Sequence, residues 1–328
     1  MKNQAPTISL IIPVRNGGEK FKQCLASVRQ TDPAPLEIIV VDGGTDDSER
    51  FAEAAGAKVM TIPVANGPAH ARNLGGRAAK GDLLFFIDAD VVIASNAIDQ
   101  IAAAFMQDAD LTALIGSYDD APAETNFLSQ YRNLFHHYVH QTGNEEASTF
   151  WGACGAVRRE IFLNAGGFDE KYRQPCIEDI ELGYRLKRAG HRIRLLKTLQ
   201  VKHLKRWEFF SMLKTDFFQR ALPWTELILR ERELVNDLNL KASNRLSVAS
   251  VYGLLGASAI SFRWPALAGL AALFIALLLA LNAPLYQFFW RQRGFWFALQ
   301  TIPCHWFYYL YSGLAFVVGI MRYSFKKL

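Results

Sequence analysis

Two aspartates one residue apart, Asp88 and Asp90, follow an apolar run in "FFIDADVVI" (residues 85–93). Burying two carboxylates in such a run is costly unless positive charge neutralises them. On a regular strand, side chains two positions apart share a face, so both acids would lie together. Paired carboxylates of this kind suit a divalent cation held against a phosphate, and oxygen ligands favour Mg²⁺ or Mn²⁺. The alternative is a pair of solvated acids at a strand end.

The segments around these acids alternate between strand and helix patterns. Short β-branched runs that end in proline or glycine predict buried parallel strands, and apolar residues at helical spacing predict the helices between them. The predicted strands are residues 8–14, 36–44, 58–64 and 82–90, and the predicted helices are 15–31, 46–56 and 67–79. This alternation predicts a doubly wound, mostly parallel α/β sheet.

Polar side chains stand at three of the four predicted strand ends: Arg15 and Asn16, then Asp42, then Asp88 with Asp90. In doubly wound sheets, ligands bind at the carboxyl ends of the strands. We therefore expect these side chains to converge on one edge of the sheet, where they would form a binding site.

Six motifs occur in a characteristic order: "IIPVRN", "IIVVDGGTDD", "GPAHARNLG", "FFIDAD", "GGFDE" and "EDIELGYRLKRAG". This series resembles the family 2 glycosyltransferases, which have the Rossmann-like GT-A fold. The resemblance covers about residues 6–206. It implies an enzyme that transfers a sugar from a nucleotide-sugar donor with the help of Mg²⁺ or Mn²⁺.

The resemblance also implies roles for individual residues on the donor side. The nucleotide base would be bordered by Pro13 and Arg15 and would donate a hydrogen bond to Asp42. The metal and diphosphate would lie at Asp88 and Asp90, with the basic side chain of Arg72 near the nucleotide or diphosphate. The run after the second strand is one residue shorter than the family pattern, with no serine before Thr45, and this bears on the role of Asp42.

On the acceptor side, the resemblance points to "FWGACGAVRREIF" (150–162) and to "QPCIEDIELGYRLKRAGHRI" (174–193). Asp179 is the expected general base, and Glu178 is expected to orient or bind the acceptor. The positive end of the helix dipole lowers the basicity of Asp179, whereas the charge of Glu178 raises it. Trp151 would stack on a sugar and Gly152 would let the backbone approach it. The alternatives are acids that cap a helix and a tryptophan that belongs to the core.

Several histidines have two interpretations each. His203 follows a predicted strand, where the resemblance places a histidine that can complete the metal or diphosphate site, and a purely structural histidine is the alternative. His136, His137 and His140 have spacing compatible with metal, but no carboxylate or cysteine stands beside them. A solvated helix or an acceptor-groove helix is the favoured interpretation of that segment.

Composition and charge limit the possible binding partners of the chain and the cellular compartment in which it would be found. The chain has 328 residues, is 51% hydrophobic and carries a formal charge of +5. A basic cluster precedes the apolar tail and suits anionic lipid or a phosphorylated ligand, whereas no nucleic-acid motif accompanies it. Its members are Arg185, Lys187, Arg188, Arg192, Arg194, Lys197, Lys202, Lys205 and Arg206. The cysteines Cys24, Cys154, Cys176 and Cys304 are far apart, which predicts reduced and mostly buried thiols in a cytoplasmic protein.

The C-terminal part predicts membrane attachment. Residues 265–284 and 295–321 are each long enough to span a bilayer, and the shorter stretch 246–262 is a candidate for a third span. Residues 207–224 place Trp207, Phe210, Leu213, Phe217 and Ala221 on one stripe, as in an interfacial helix. The basic residues that flank the spans favour two spans with the chain's ends inside. In that topology Arg245, Arg263, Arg322, Lys326 and Lys327 lie inside, and only Arg291 and Arg293 lie outside.

The predicted organisation is a GT-A domain (1–206), amphipathic interfacial helices (207–245) and a transmembrane region (246–328) in the cytoplasmic membrane. The N-terminus lacks the apolar run of a signal peptide, so the catalytic domain should stay in the cytoplasm. The leading functional hypothesis is an inverting, metal-dependent transfer from a UDP-sugar to a hydroxyl acceptor, lipid-linked or in the membrane. The alternatives are transfer to polyprenyl phosphate, nucleotidyl transfer, and a membrane-anchored binder of nucleotide-sugars without catalysis.

Overall fold

The computed structural model describes residues 5–63 and 66–325, which form two compact units, residues 1–206 and 207–328. Val64, the last residue of the third predicted strand, and the basic residues Lys326 and Lys327 lie outside the described residues.

The first unit is built on one eight-stranded sheet with the order β3-β2-β1-β4-β7-β6-β8-β5. Its strands are β1 (Ile8–Val14), β2 (Glu37–Asp42), β3 (Lys58–Thr61), β4 (Leu83–Ile87), β5 (Val91–Ile93), β6 (Leu111–Tyr118), β7 (Cys154–Arg158) and β8 (Arg192–His203). Strands β1 to β4 are mutually parallel, and β6 pairs with β8 in parallel. Strand β7 runs antiparallel to both β4 and β6, and β5 runs antiparallel to β8. The sheet is therefore mixed and mostly parallel, as predicted.

Helices cover both faces of this sheet. They are α1 (Gly18–Arg29), α2 (Ser48–Ala54), α3 (Pro68–Ala78), α4 (Ala97–Gln107), α5 (Phe127–Gln141), α6 (Arg159–Asn164) and α7 (Glu178–Arg188). Apolar residues of β1, β2 and β4 alternate between two cores, because successive strand side chains point to opposite faces. One core includes Leu10 and Phe85 with residues of α1 and α4, and the other includes Ile11 and Phe86 with residues of α3 and α7.

The sheet direction brings the predicted site residues to one edge. Parallel strands β1, β2, β4 and β6 end at Val14, Asp42, Ile87 and Tyr118, and β8 ends at His203. Because β7 is reversed, the segment before its first residue, Cys154, lies at this same edge. The predicted convergence at the carboxyl ends of the strands is confirmed by this topology.

The second unit is helical. It contains α8 (Phe209–Lys214), a π-helical stretch (Thr215–Ala221), α9 (Leu222–Glu231), α10 (Ala242–Ser261), α11 (Ala268–Arg293) and α12 (Phe295–Phe325). Two helical segments among the described residues, Pro265–Arg293 and Phe295–Phe325, are long and apolar enough to cross a membrane. Helix α10, which contains the third candidate span, does not reach that apolarity.

Polar side chains join the long helices of this unit to one another. The Asn282 amide donates to Ser247 Oγ at 3.1 Å, and the Tyr309 hydroxyl donates to Asn282 Oδ1 at 2.7 Å, which links α10, α11 and α12. The buried carboxylate of Asp216 in the π-helical stretch accepts a hydrogen bond from the Tyr311 hydroxyl at 2.7 Å. Because an unsatisfied polar group is costly away from water, these bonds fix how the helices pack.

The predicted interfacial stripe is wrong in one respect. Trp207 is only 2% exposed, whereas Phe210 is 81% exposed, so the two rings do not share one open face. The reason is that Trp207 precedes α8, which begins only at Phe209, so the helical spacing that would place it beside Phe210 does not apply. The exposed aromatic residues of this segment are Phe209, Phe210 and Phe218.

Candidate active site

The centre of the site is a buried arginine that bridges two motifs. Arg72 lies on α3, and its side chain is 5% exposed. One guanidinium nitrogen, Nη2, donates to Asp88 Oδ1 at 2.6 Å, and the other, Nη1, donates to Glu178 Oε1 at 2.8 Å. The guanidinium also lies over the ring of Phe168, 5.5 Å from its centroid. Arg72 therefore holds the "DAD" turn and the start of α7 in one charge network.

Glu178 and Asp179 are the first two residues of α7, and their carboxylates turn to different partners. Glu178 accepts from Arg72 and, through Oε2, from the backbone N–H of Cys176 at 2.9 Å. Asp179 accepts from the N–H of Gly152 at 2.9 Å and from the N–H of Ile180 at 2.8 Å. The structure thus brings the predicted base into direct contact with the predicted acceptor segment.

The pKa of Asp179 is raised to about 6, because burial and, after it, the neighbouring charge of Glu178 outweigh the lowering effect of the Gly152 N–H and of Arg72. The sequence left the helix dipole and Glu178 as opposing influences on this carboxyl. The net direction is upward, because desolvation penalises the ionised form. A carboxylate in this condition is a stronger base than an exposed aspartate.

Gly152 has a different use from the one predicted for it. A Cβ atom at this position would lie 2.9 Å from Arg72 Cζ, so the missing side chain makes room for the guanidinium. Its backbone N–H at the same time binds Asp179. The role of Gly152 in approaching a sugar stays a prediction, and its packing against Arg72 is what the structure describes.

The two aspartates of "DAD" do not lie on a strand and do not point to a common partner. Strand β4 ends at Ile87, so Asp88 and Asp90 occupy the tight connection before β5. Asp88 turns to Arg72, whereas Asp90 Oδ2 lies 3.5 Å from His203 Nε2. The expectation that both acids share one strand face is wrong, because the chain reverses direction between β4 and β5.

His203 closes the other side of this turn. Its ring stacks on Tyr118 with centroids 4.4 Å apart and planes at 8°, and its Nδ1 lies 2.9 Å from Asn133 Oδ1. Burial alone would raise the pKa of Asp90, but the charges of His203, Lys205 and Lys20 outweigh burial and lower it. The carboxylate of Asp90 is therefore kept ionised beside an imidazole.

The side chains around the Asp88–Asp90 turn include ligands that a divalent cation can use. No cluster of three or more histidine, cysteine or acidic side chains is arranged to hold a metal within residues 5–63 and 66–325. Mg²⁺, however, is ordinarily bound by one or two carboxylates together with substrate phosphates and water. The Asp90 carboxylate and the His203 imidazole supply ligands of that class, and Mn²⁺ accepts both. The residues fit a cation completed by a diphosphate.

The part of the edge where the nucleotide base is predicted to bind is formed by β1, β2 and the turns that follow them. Asp42 is buried, its Oδ1 accepts from the Gly44 N–H at 2.7 Å, and burial raises its pKa. Asn16, in a left-handed conformation (φ 55°), accepts from the Thr45 N–H at 2.7 Å and so fixes the shortened turn. Arg15 is exposed and Pro13 is half-buried beside these groups.

Trp151 is enclosed by aromatic neighbours. Tyr118 meets it edge-on with centroids 4.9 Å apart, His140 does so at 5.0 Å, and His136 lies at 5.4 Å. His137 is buried and its Nδ1 lies 2.7 Å from the Tyr118 carbonyl oxygen. The prediction of a solvated helix is wrong for His137 and His140, because α5 packs these side chains against the sheet. Stacking of Trp151 on a sugar stays a prediction.

The basic cluster before the apolar tail is largely neutralised by acids. Five of its members form ion pairs: Arg185–Glu181, Lys187–Glu146, Arg192–Asp108, Lys202–Asp119 and Arg206–Glu124. The cysteines are all free, as predicted, and burial raises the pKa of both Cys24 and Cys154. The thiols of Cys24 and Cys154 are therefore inert packing groups rather than nucleophiles.

Sequence reasoning missed Asn133, Tyr118 and the bridging contacts of Arg72. Arg72 and Glu178 are 106 positions apart, and His203 and Asn133 are 70 apart. Local patterns carry no signal for such pairs, since a polar residue on a helix looks the same whether it faces solvent or a distant strand end.

Residues 9–165 match the family described as glycosyl transferase family 2. These residues belong to glycosyl transferase family 2. The matched range includes β1 to β4, Arg72 and the Asp88–Asp90 turn. The family predicted from the motifs is confirmed.

Curated relatives of this chain include a protein named as a glycosyltransferase and a catalytic subunit of a cellulose synthase. The chain is 29% identical over 209 residues to the pre-mycofactocin glycosyltransferase of Mycobacterium tuberculosis, covering 60% of this chain and 42% of that protein. It is 30% identical over 208 residues to the UDP-forming cellulose synthase 1 catalytic subunit of Komagataeibacter xylinus, covering 56% and 26% respectively. The chain therefore spans less than half the length of these relatives.

Solved structures support the fold. The mannosyltransferase PcManGT from Pyrobaculum calidifontis, in complex with GDP-Man and Mn²⁺, superposes with a TM-score of 0.58 at 18% identity, covering 96% of this chain and 88% of that one. S. aureus TarS 1–349 with UDP-GlcNAc gives a TM-score of 0.53 at 18% identity, covering 73% and 69%. The family 2 unit described here thus has the predicted GT-A-like α/β fold.

Proposed function

We propose that this family 2 chain transfers a sugar from a nucleotide-sugar to a hydroxyl acceptor with inversion at the anomeric carbon. The observation that carries the proposal is the raised pKa of Asp179, about 6, beside the buried ion pair of Arg72 and Glu178. A base poised near neutral pH is what deprotonation of a hydroxyl requires. A single displacement needs one such base and no second carboxylate nucleophile.

In this mechanism the acceptor oxygen attacks the anomeric carbon while the bond from that carbon to the diphosphate oxygen breaks. Asp179 takes the acceptor's proton, and the N–H groups of Gly152 and Ile180 hold its carboxylate in place. Arg72 fixes Glu178 beside it. The negative charge of Glu178 keeps the pKa of Asp179 raised. Orienting the acceptor is the second role proposed for Glu178.

On the donor side, Asp42 would accept a hydrogen bond from the base, with Pro13 and Arg15 at its border. Asp90 and His203, with Asp88 nearby, would hold Mg²⁺ or Mn²⁺ against the diphosphate, and Arg72 would contribute positive charge there. A bound divalent cation neutralises the charge that develops on a departing diphosphate. The Mn²⁺ in the complexes of GalNAc-T7 and PcManGT supports this cofactor.

A UDP-sugar is the proposed donor. The cellulose synthase relative is named as UDP-forming, and TarS binds UDP-GlcNAc, whereas PcManGT binds GDP-Man. The buried Asp42 suits a base that presents an N–H donor, and uracil does so through its imide.

The proposed acceptor is lipid-linked or lies in the membrane, with residues 1–206 as the catalytic domain on the cytoplasmic face. The support is the pair of apolar helices, Pro265–Arg293 and Phe295–Phe325. The flanking charges favour a two-span topology with the chain's ends inside. Because members of the basic cluster pair with acids, the cluster has less free charge with which to bind an anionic membrane surface. Binding to that surface would therefore depend more on the exposed Phe209, Phe210 and Phe218.

Transfer to polyprenyl phosphate is the second candidate. A phosphate acceptor is already anionic and needs no general base, so the raised pKa of Asp179 favours the hydroxyl acceptor. A non-catalytic binder is the third candidate, and it would have no need of a carboxylate whose pKa is raised toward neutrality.

The experiment is a donor screen on the purified full-length chain in detergent. UDP- and GDP-sugars are incubated with and without Mn²⁺, and nucleoside diphosphate release is measured. Metal-dependent release from one donor is the expected result. Tight donor binding without any release, with or without candidate lipid acceptors, would identify a binder and contradict the proposal.

A further inference from the structure

Asn133 on α5 sits against the imidazole of His203, at the end of β8, and both side chains are buried. The two ring nitrogens of His203 face different groups. Nδ1 lies 2.9 Å from Asn133 Oδ1, and Nε2 lies 3.5 Å from Asp90 Oδ2. The ring cannot rotate away freely, because it stacks on Tyr118 with planes at 8°.

The chemistry of an amide oxygen determines what Nδ1 must be. An amide oxygen only accepts hydrogen bonds, so Nδ1 must carry the proton and donate it. A neutral imidazole protonated on Nδ1 has its lone pair on Nε2, the atom that faces Asp90. A carboxylate also only accepts, and 3.5 Å is longer than an N–H to oxygen hydrogen bond. In this neutral form, two electron-pair donors point toward one another across the gap, whereas the protonated ring pairs its charge with Asp90.

The geometry points to Asn133 as the positioning residue that fixes the Nε2 lone pair of His203 beside Asp90, so that the two can bind a divalent cation together. This inference rests on the proposed function, since it concerns the cation that would hold the donor diphosphate. Asn133 itself does not touch the cation. It acts through His203, as outer-shell partners of metal-binding histidines do.

The same helix supports the other wall of the imidazole. His137, one turn after Asn133, lies with Nδ1 2.7 Å from the carbonyl oxygen of Tyr118, whose ring stacks on His203. Helix α5 thus controls both the tautomer and the plane of the ring. Asn133 Nδ2 has no hydrogen-bond partner among the described residues, so the contact with His203 is what orients this amide.

The test is Mn²⁺ affinity of the full-length chain in detergent, measured by loss of the free Mn²⁺ electron paramagnetic resonance signal, with and without UDP. Asn133→Leu removes the acceptor and should weaken Mn²⁺ binding by about 10- to 100-fold, the usual effect of losing such a partner. Asn133→Asp keeps an acceptor oxygen and cannot donate, so its affinity should stay within about threefold of the parent or increase. Asn133→Ala replaces Asn133→Leu if the larger side chain prevents folding.

Ser129→Ala is the matched control, because Ser129 is a buried polar residue one turn earlier on α5. It should leave Mn²⁺ affinity unchanged, and unfolding midpoints of all variants separate instability from metal loss. Unchanged affinity in Asn133→Leu, or equal loss in Asn133→Asp and Asn133→Leu, would overturn the inference. If the parent chain binds no Mn²⁺ even with UDP, the proposed cation site itself fails and the inference falls with it.

Discussion

Replacing Arg72 by methionine removes the positive charge that the carboxylates of Asp88 and Glu178 share. The loss in free energy of unfolding depends on how deeply each carboxylate is buried. Glu178 has a side chain that is 5% exposed, whereas Asp88 is 35% exposed. Loss of the ion pair with the more exposed Asp88 should lower the free energy of unfolding by no more than about 1 kcal/mol. Leaving Glu178 buried without its cation should cost about 3–5 kcal/mol. For a domain of this size that corresponds to a fall in unfolding midpoint of roughly 6–20 °C.

The assay is thermal unfolding of the purified chain at pH 8, followed by intrinsic fluorescence. Arg72→Lys should also be destabilised, because one ammonium cannot replace a fork that binds two carboxylates in fixed directions. The double variant Arg72→Met with Glu178→Gln should recover much of the loss, because no buried charge then stands unpaired. If the double variant loses as much as the sum of its parts, the coupling inferred from the 2.8 Å contact is refuted.

Three further predictions concern the metal, the pH dependence and the tail. Asp90→Ala should abolish the metal dependence of UDP binding, measured by calorimetry with and without Mn²⁺, and unchanged dependence would place the cation elsewhere. The transfer rate should fall about tenfold per pH unit below a pKa of about 6 and level off above it, because Asp179 must be ionised to act as base. Since the pKa of Asp179 is raised, this group favours the folded state at low pH, and its contribution to stability is lost as pH rises through about 6. A chain ending at Arg206 should fold and still bind UDP but no longer sediment with membranes, whereas a chain ending at Lys241 should be unstable because Asp216 loses the Tyr311 hydroxyl.

The first four strands and the edge of the sheet where the candidate site lies could be predicted from the sequence because they follow from local signals. The β-branched run of Ile8–Val14 and the apolar run of Leu83–Ile87 end where polar residues begin. The first strand has the predicted extent, whereas the fourth ends three residues before the predicted position 90. Parallel strands then bring their ends together whatever the details of the loops. Asp42 and Asp88 were found in this way.

The arrangement inside that edge could not be predicted, because it depends on contacts between distant segments. The two acids of "DAD" separate since the chain turns after Ile87, and a two-residue spacing rule applies only within a strand. Gly152 suggested room for a sugar but makes room for Arg72, a residue that sequence gives no reason to place there. Trp207 was assigned to an exposed stripe by a helical spacing, but the helix begins only at Phe209 and the Trp207 side chain is buried.

The central claim is that Asp179 is the general base, and Asp179→Asn tests it most directly. The amide keeps the shape of the side chain but cannot accept the acceptor's proton. We expect UDP binding within about twofold of the parent and sugar transfer lower by at least about 100-fold, the usual scale for a positioned base. Glu181→Gln is the matched control, because Glu181 is a second buried acid of α7 that pairs with Arg185 instead, and its transfer rate should stay near the parent's. Near-normal transfer by Asp179→Asn would contradict the account and make Glu178 the next candidate.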